Sequence, residues 1–291
     1  MKNPTIAITG ANGFIGKALV KYFSEKNWHV HALQRKPISN PTKNVTFHSF
    51  SLPNHFVKKS LEGVDVLIHC AVQHYTPTNK HADANNEAGA EKLIKLCSET
   101  GTKIIFLSTL SAHEQAKSHY GKNKLKLESL FDPKKDLVLK LGLVVGDTGG
   151  LFHTIYESIK KTNVIPLVDG GNQPMQTIAI DDLCQIIESG INNNIIGNYK
   201  IAEHKAFPMK ELYSVIAHQL GKEPKFIPVP SFILMTACKI AEIIGIKLPV
   251  SSESVLGLKQ LRNFDTSNDL KKFGIKAKSF KETVKSLKAE N

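Results

Sequence analysis

The chain predicts an α/β fold built on a doubly wound parallel sheet, and three observations carry that expectation. Thr5-Ile6-Ala7-Ile8-Thr9 is a short apolar, β-branched run of the kind buried on both faces in parallel sheets. Three glycines follow at spacing three (Gly10, Gly13, Gly16) and lead into an amphipathic run from Lys17 to Phe23. Further apolar runs then alternate with helical stretches of about 12–18 residues, the pattern of repeated parallel β-α units.

The glycine turn comes first. A glycine can take positive φ and lets the backbone come within contact distance of a pyrophosphate. The helix that starts there points N–H groups and its positive dipole end at the same anion. The spacing is G-x-x-G-x-x-G, and Gly10, Asn12, Gly13, Phe14, Ile15 and Gly16 are the candidate residues for a dinucleotide. Trp28 to Gln34 reads as the second strand. An Asp or Glu at the end of this strand usually holds a free ribose 2′-hydroxyl. Here the strand ends in Gln34-Arg35-Lys36, and Arg35 is one of only two arginines in the chain. A guanidinium suits a 2′-phosphate, so NADP(H) is the expected cofactor, with NAD(H) the alternative.

Val45 to Phe50 gives a third strand, and Leu61 to Ala71 holds the fourth strand and its exit. A helix is expected from Ala82 to Thr100. Lys103 to Leu107 is the fifth strand, ending at the hydroxyl cluster Ser108-Thr109-Leu110-Ser111. Leu137 to Gly146 is a sixth strand with its exit, and Asn198 to Ala202 a seventh. The predicted organisation is a Rossmann-type domain over 1–146, its sheet completed by 176–203. A small, discontinuous, mainly helical substrate lobe is expected from 147–175 and 204–291. Asp181 and Asp182 stand where a helix begins and read as N-capping residues.

Tyr-x-x-x-Lys occurs three times, as Tyr22…Lys26, Tyr120…Lys124 and Tyr156…Lys160. Only Tyr120…Lys124 follows the fifth strand and a hydroxyl cluster, where parallel strand ends open onto a crevice. On a helix the pair shares one face. A nearby lysine cation would lower the phenol's pKa from its usual value near 10, making it a general acid or base. Thr109 is the hydroxyl best placed to polarise the same carbonyl, with Ser108 and Ser111 as substitutes.

T-G-A-N-G-F-I-G at the start, the Ser/Thr strand end before Tyr120…Lys124, Asn86-Glu87-Ala88-Gly89-Ala90, and the closing Asp265 to Leu270 with Phe273-Gly274 together carry a resemblance. The chain resembles extended short-chain dehydrogenase/reductases, the epimerase/dehydratase branch. The resemblance implies Thr109, Tyr120 and Lys124 as the catalytic set, with Lys124 also holding the nicotinamide ribose. It extends the cofactor contacts to Ser51, Leu52, Cys70, Ala71, Asn86, Leu107, Leu141 and Val144. It sets Val72, His74, Thr109, Ser111 and Gln176 against the substrate. Ser51 stands where the family commonly has Asp, and Lys140-Leu141 where it often has Arg-Pro. The implied chemistry is hydride exchange between NADP(H) and a carbonyl or secondary alcohol, on a nucleotide sugar or a similar anionic metabolite. Two other readings are an epimerase holding its NAD(P) tightly and a non-catalytic NADP-sensing or assembly protein on the same fold. A homodimer is the oligomer that relatives suggest.

Composition narrows the partners. Lys+Arg number 38 against 26 Asp+Glu, a net charge of +12, but the basic residues are spread out. Their densest group, Lys271 to Lys288, reads as a solvated helix face, so nucleic acid is not expected. The four cysteines form no C-x-x-C pair, which suits reduced thiols and no metal site. The first strand begins by residue 5, leaving no room for a signal peptide, and a cytoplasmic location is expected. Ser231 to Ile246 is apolar but too short to span a bilayer. It reads as a helix roofing the substrate pocket; resting on a membrane is the competing reading, which would make the protein a reductase of a lipid carbonyl.

Overall fold

The computed structural model describes residues 3–36, 43–56, 58–76, 78–246 and 250–287. The chain divides into two compact units, the first Met1–Ser108, Asn123–Lys140 and Leu183–Tyr199, the second Thr109–Lys122, Leu141–Asp182 and Lys200–Asn291.

A seven-stranded sheet forms the core of the first unit. Its strands are β1 (Thr5–Thr9), β2 (His29–Gln34), β3 (Val45–Ser49), β4 (Val66–His69), β5 (Lys103–Thr109), β6 (Leu137–Leu141) and a last strand, Gly197–Ile201. Their order is Gly197–Ile201, β6, β5, β4, β1, β2, β3. The chain thus runs outward from β1 to β3 on one side and from β4 to β6 on the other, with its switch point between β1 and β4. The pairs β1·β2, β1·β4, β2·β3 and β4·β5 are all parallel. Ile6, Ala7 and Ile8 are fully buried, as a strand covered on both faces requires.

Helices α1 (Phe14–Glu25), α2 (Ala82–Thr100) and α3 (His119–Glu128) follow β1, β4 and β5. Glycine ends α2: Gly101 sits at φ 73 and takes the left-handed position there. Leu67, Leu93, Phe106, Phe131 and Val138 belong to the unit's core, with Phe106 and Phe131 stacked at 4.5 Å. Tyr22 and Lys26 both bond Glu188, so this Tyr-x-x-x-Lys pair ties α1 to the helix Ile180–Asn192.

The second unit has its own core of Phe152, Ile165, Leu167, Leu212, Ile216 and Phe280. The sixth strand ends at Leu141, and its exit turns at Gly142 so that Leu143–Val145 pairs with Thr177–Ala179. A Cβ at Gly142 would lie 2.5 Å from the Gln176 carbonyl oxygen, so this crossing requires glycine. Asp182 is no N-cap: the helix starts at Ile180, and the buried carboxylate accepts the Lys278 N–H and ammonium at 2.7 and 2.9 Å. The lysine-rich tail forms two short helices among the described residues, Ser267–Lys272 and Phe280–Ser286, rather than one helix face; Lys288 lies outside the described residues. The helix Ser231–Ile243 buries only Ser231, Cys238 and Ala241. Phe232, Ile233, Ile240, Ile243 and Ile244 are at least half exposed, a finding the roof expectation does not account for.

Candidate active site

Register sets the site in the first unit. Thr9 of β1 pairs with Leu33 of β2 and His69 of β4, and His69 pairs with Phe106 of β5. The carboxyl ends of four strands are therefore level. The residues just beyond are the glycine turn, Gln34-Arg35, Cys70-Ala71 and Leu107-Ser108, so the sheet gathers these candidates at one edge.

The glycine turn is closed by the Gly13 N–H donating to the Gly10 carbonyl at 2.8 Å. Gly10 holds φ 66, and a Cβ there would lie 3.0 Å from the Ala71 backbone. A Cβ on Gly16 would lie 2.2 Å from the Gly10 oxygen, so only glycine lets α1 start this close to β1. Asn12 and Gly13 are exposed, and Phe14 and Ile15 half-buried. No side chain caps the first turn of α1, and it contains no acid. An anion there meets backbone N–H groups without a competing carboxylate, which fits a pyrophosphate. Arg35 and Lys36 are exposed at the end of β2, while the buried Gln34 side chain donates to the Lys36 carbonyl at 2.7 Å.

Beyond β4, Thr9 controls the backbone. Its hydroxyl accepts the Cys70 and Ala71 N–H groups, each at 3.1 Å. Its own hydrogen then goes to His69 Nδ1 at 2.8 Å, leaving the proton of the ring on Nε2. Burial, helped by the Lys124 charge, lowers His69 to about 3, so it stays neutral. Burial pushes the Cys70 thiol up to about 12. Asn86 is buried, and its amide accepts the Gln73 N–H and donates to the Gln73 carbonyl at 2.8 and 2.9 Å. It therefore fixes the backbone beside Val72, which is half-buried, and His74, which is exposed. Ser51 exchanges backbone bonds with His55. The buried Leu52 packs on Gly89 and accepts the Gln73 side-chain amide.

Lys124 lies on α3, 5% exposed. Its ammonium donates to the Leu107 carbonyl at 2.7 Å and sits 4.6 Å above the Phe106 ring. Burial lowers its pKa to about 8, against the opposing influence of Cys70 and Glu128. Glu128, one turn further along α3, bonds the buried Ser108 and takes the Lys140 ammonium at 2.7 Å.

The remaining candidates fall in the second unit. Tyr120 and Thr109 share a side-chain hydrogen bond. The Thr109 hydroxyl also accepts the Ser111 N–H at 3.2 Å. Gly121 makes that approach feasible, since a Cβ there would lie 2.6 Å from the Ser111 carbonyl. Tyr120 is 43% exposed as a residue, yet its hydroxyl lies deep enough for burial to raise the pKa above 10, which the Thr109 bond only partly offsets. Lys124, for its part, is engaged with Leu107 and Phe106. Gln176 is buried with its amide bonded to Glu203 and Phe264, a structural engagement on both ends. Leu141 is buried and its carbonyl accepts the Leu110 N–H at 2.9 Å; Val144 is half-buried and pairs with Ile178.

Thr9, His69 and Glu128 went unnoticed in the sequence. The only signal was a polar residue closing an apolar strand, as His69 closes Val66-Leu67-Ile68. Among the described residues no group of three or more His, Cys, Asp or Glu side chains could hold a metal.

Residues 6–135 match the model of the NAD dependent epimerase/dehydratase family. The match covers a little under half of the chain. A ceramide reductase from Caulobacter vibrioides is 23% identical, over 80% of this chain and 75% of the relative. Two solved structures share the fold. MoeE5 in complex with UDP-glucuronic acid and NAD superposes with TM-score 0.74 at 17% identity, over 97% of each chain. UDP-N-acetylglucosamine 4-epimerase from Methanobrevibacter ruminantium M1, in complex with UDP-N-acetylmuramic acid, gives 0.72 at 18%, over 98% of each. The matched span holds the glycine turn, Thr9, His69, Thr109, Tyr120 and Lys124. Among the described residues no helix is long and apolar enough to cross a membrane.

Proposed function

We propose that the protein exchanges hydride between NADP(H) and a carbonyl or secondary alcohol, with Tyr120 as the acid/base. The observation that carries this reading is the Thr109–Tyr120 hydrogen bond on the Tyr-x-x-x-Lys segment that comes next after β5. A phenol held protonated at neutral pH can give its proton to a carbonyl oxygen as that oxygen gains charge. Thr109 orients the phenol and polarises the same oxygen. Lys124 presents a buried positive charge, and the uncapped first turn of α1 receives the pyrophosphate. The bound nicotinamide supplies or accepts the hydride. Arg35, with no acid beside it, favours the 2′-phosphate of NADP(H).

The substrate we favour is a nucleotide sugar, the class bound in both solved structures. A second reading, reduction of a lipid carbonyl, has its own support in the exposed apolar side of the helix Ser231–Ile243 and in the ceramide reductase relative. An epimerase would consume no net NADPH. The test is NADPH oxidation against a panel of UDP-sugars and long-chain ketones, run for the wild type and Tyr120→Phe. The variant is expected to lose turnover by at least a thousandfold with cofactor affinity unchanged; retained turnover removes Tyr120 as the acid.

A further inference from the structure

Lys124 is a lysine enclosed in the fold, and a buried ammonium keeps its proton only if something compensates its lost hydration. The groups that act on it come from three elements. From the end of β4 come His69 and Cys70, from the loop beyond it His74, and from α3 itself Glu128. His69 is neutral, and the Cys70 thiol stays protonated until about pH 12, so neither offers a negative charge at neutral pH. His74 brings none either. Among these groups Glu128 is the anion.

Its carboxylate is fixed from two further strands. Ser108, buried at the end of β5, donates to one oxygen, and Lys140 of β6 donates to the other at 2.7 Å. The Lys140 and Glu128 side chains are only 18% and 10% exposed, so water screens this pair weakly. The Lys124 ammonium is held on the Leu107 carbonyl and the Glu128 carboxylate on Ser108, the next residue of β5. Both side chains of this helix thus meet the same strand end, and the carboxylate is shared with a second cation.

We propose that Glu128 is a positioning residue that keeps the Lys124 ammonium charged inside the fold, with Ser108 and Lys140 fixing its carboxylate in place. This rests on the proposed function only in that Lys124 serves the reaction there. The charge relation itself is independent of any activity.

The experiment follows the Lys124 ammonium directly, by NMR titration of isotope-labelled lysine in the full chain, assigned with Lys124→Met. Glu128→Gln retains the shape and can still bond Ser108, but removes the charge. Its Lys124 midpoint should fall about tenfold or more in proton affinity, with Glu128→Asp partly restoring it. Lys140→Met should move the midpoint the other way, because Glu128 then serves one cation rather than two; this second variant decides the matter if Glu128→Gln does not fold. A midpoint unmoved in a folded variant overturns the proposal, since a merely structural glutamate would change stability and not the midpoint. The basic limb of NADPH turnover is recorded alongside. A midpoint that falls while that limb stays put upholds Glu128 as the counter-charge and refutes the part given to Lys124 in catalysis.

Discussion

Lys124→Met is expected to make the protein more stable while removing activity. The side chain is 5% exposed, and burial brings its pKa from 10.5 to about 8. At 1.36 kcal/mol for each tenfold change, holding the charged form costs the folded state about 3 kcal/mol. Methionine fills similar space without a charge and can keep a sulfur contact to Phe106. Against this, the Leu107 carbonyl loses its 2.7 Å donor, which costs about 1 kcal/mol. The net gain at pH 7 is about 2 kcal/mol. Its pH dependence follows from proton binding: below about pH 8 the lysine is charged in both folded and unfolded chains, and the cost is present in full. Between pH 8 and 10.5 the folded chain releases the proton while the unfolded chain keeps it, so wild-type stability rises. Above that window both are neutral and the cost is gone, leaving the variant about 1 kcal/mol behind through the lost hydrogen bond. Urea denaturation at pH 7 and at pH 10.5 measures both ends. A variant less stable than wild type at pH 7, or a difference that does not change with pH, refutes the reasoning.

Gly16→Ala puts a Cβ 2.2 Å from the Gly10 oxygen and 2.8 Å from the Ala11 Cα, both backbone atoms that cannot swing aside. It should cost about 1–3 kcal/mol and weaken NADPH binding at least tenfold, read by nucleotide fluorescence titration and thermal melting. Arg35→Asp should weaken NADPH about 10–100-fold, the value of a charge-assisted bond to phosphate, and spare NADH; equal losses for both refute the role given to Arg35. Ile243→Ser, at a site 83% exposed, should change stability by less than about 0.5 kcal/mol. Phe152→Ala, at a site 2% exposed in the second unit, should cost about 3–5 kcal/mol.

Local patterns were readable because their causes are local. The glycine turn, the strand before it and the helix Ala82–Thr100 each follow from neighbours a few residues apart, and the structure has them where the sequence puts them. Asp182 shows the opposite case. Its place at a helix start suggested capping, but its partner is Lys278, which lies 96 positions away and leaves no trace in the local pattern. The turn at Gly142 is of the same kind. It is enforced by the Gln176 carbonyl, on a segment the sequence alone does not bring alongside.

The same distinction applies to Tyr120 and Lys124. Spacing along a helix fixes which side chains share a face, so Tyr120 and Lys124 looked like a self-contained pair. A pKa depends instead on what surrounds each group in three dimensions, and here the surroundings differ. The phenol is raised by burial and eased by Thr109, whereas the ammonium is directed at Leu107 and Phe106 and influenced by Glu128. A protonated phenol is the form that reduction needs at the start, so a raised value is compatible with an acid and removes the need for lysine to activate it beforehand. The lysine's charge is the scarcer resource, because its proton is the one that burial loosens. The pH range of activity should accordingly be limited on its basic side by Lys124, lowered to about 8, rather than by Tyr120, whose pKa is raised.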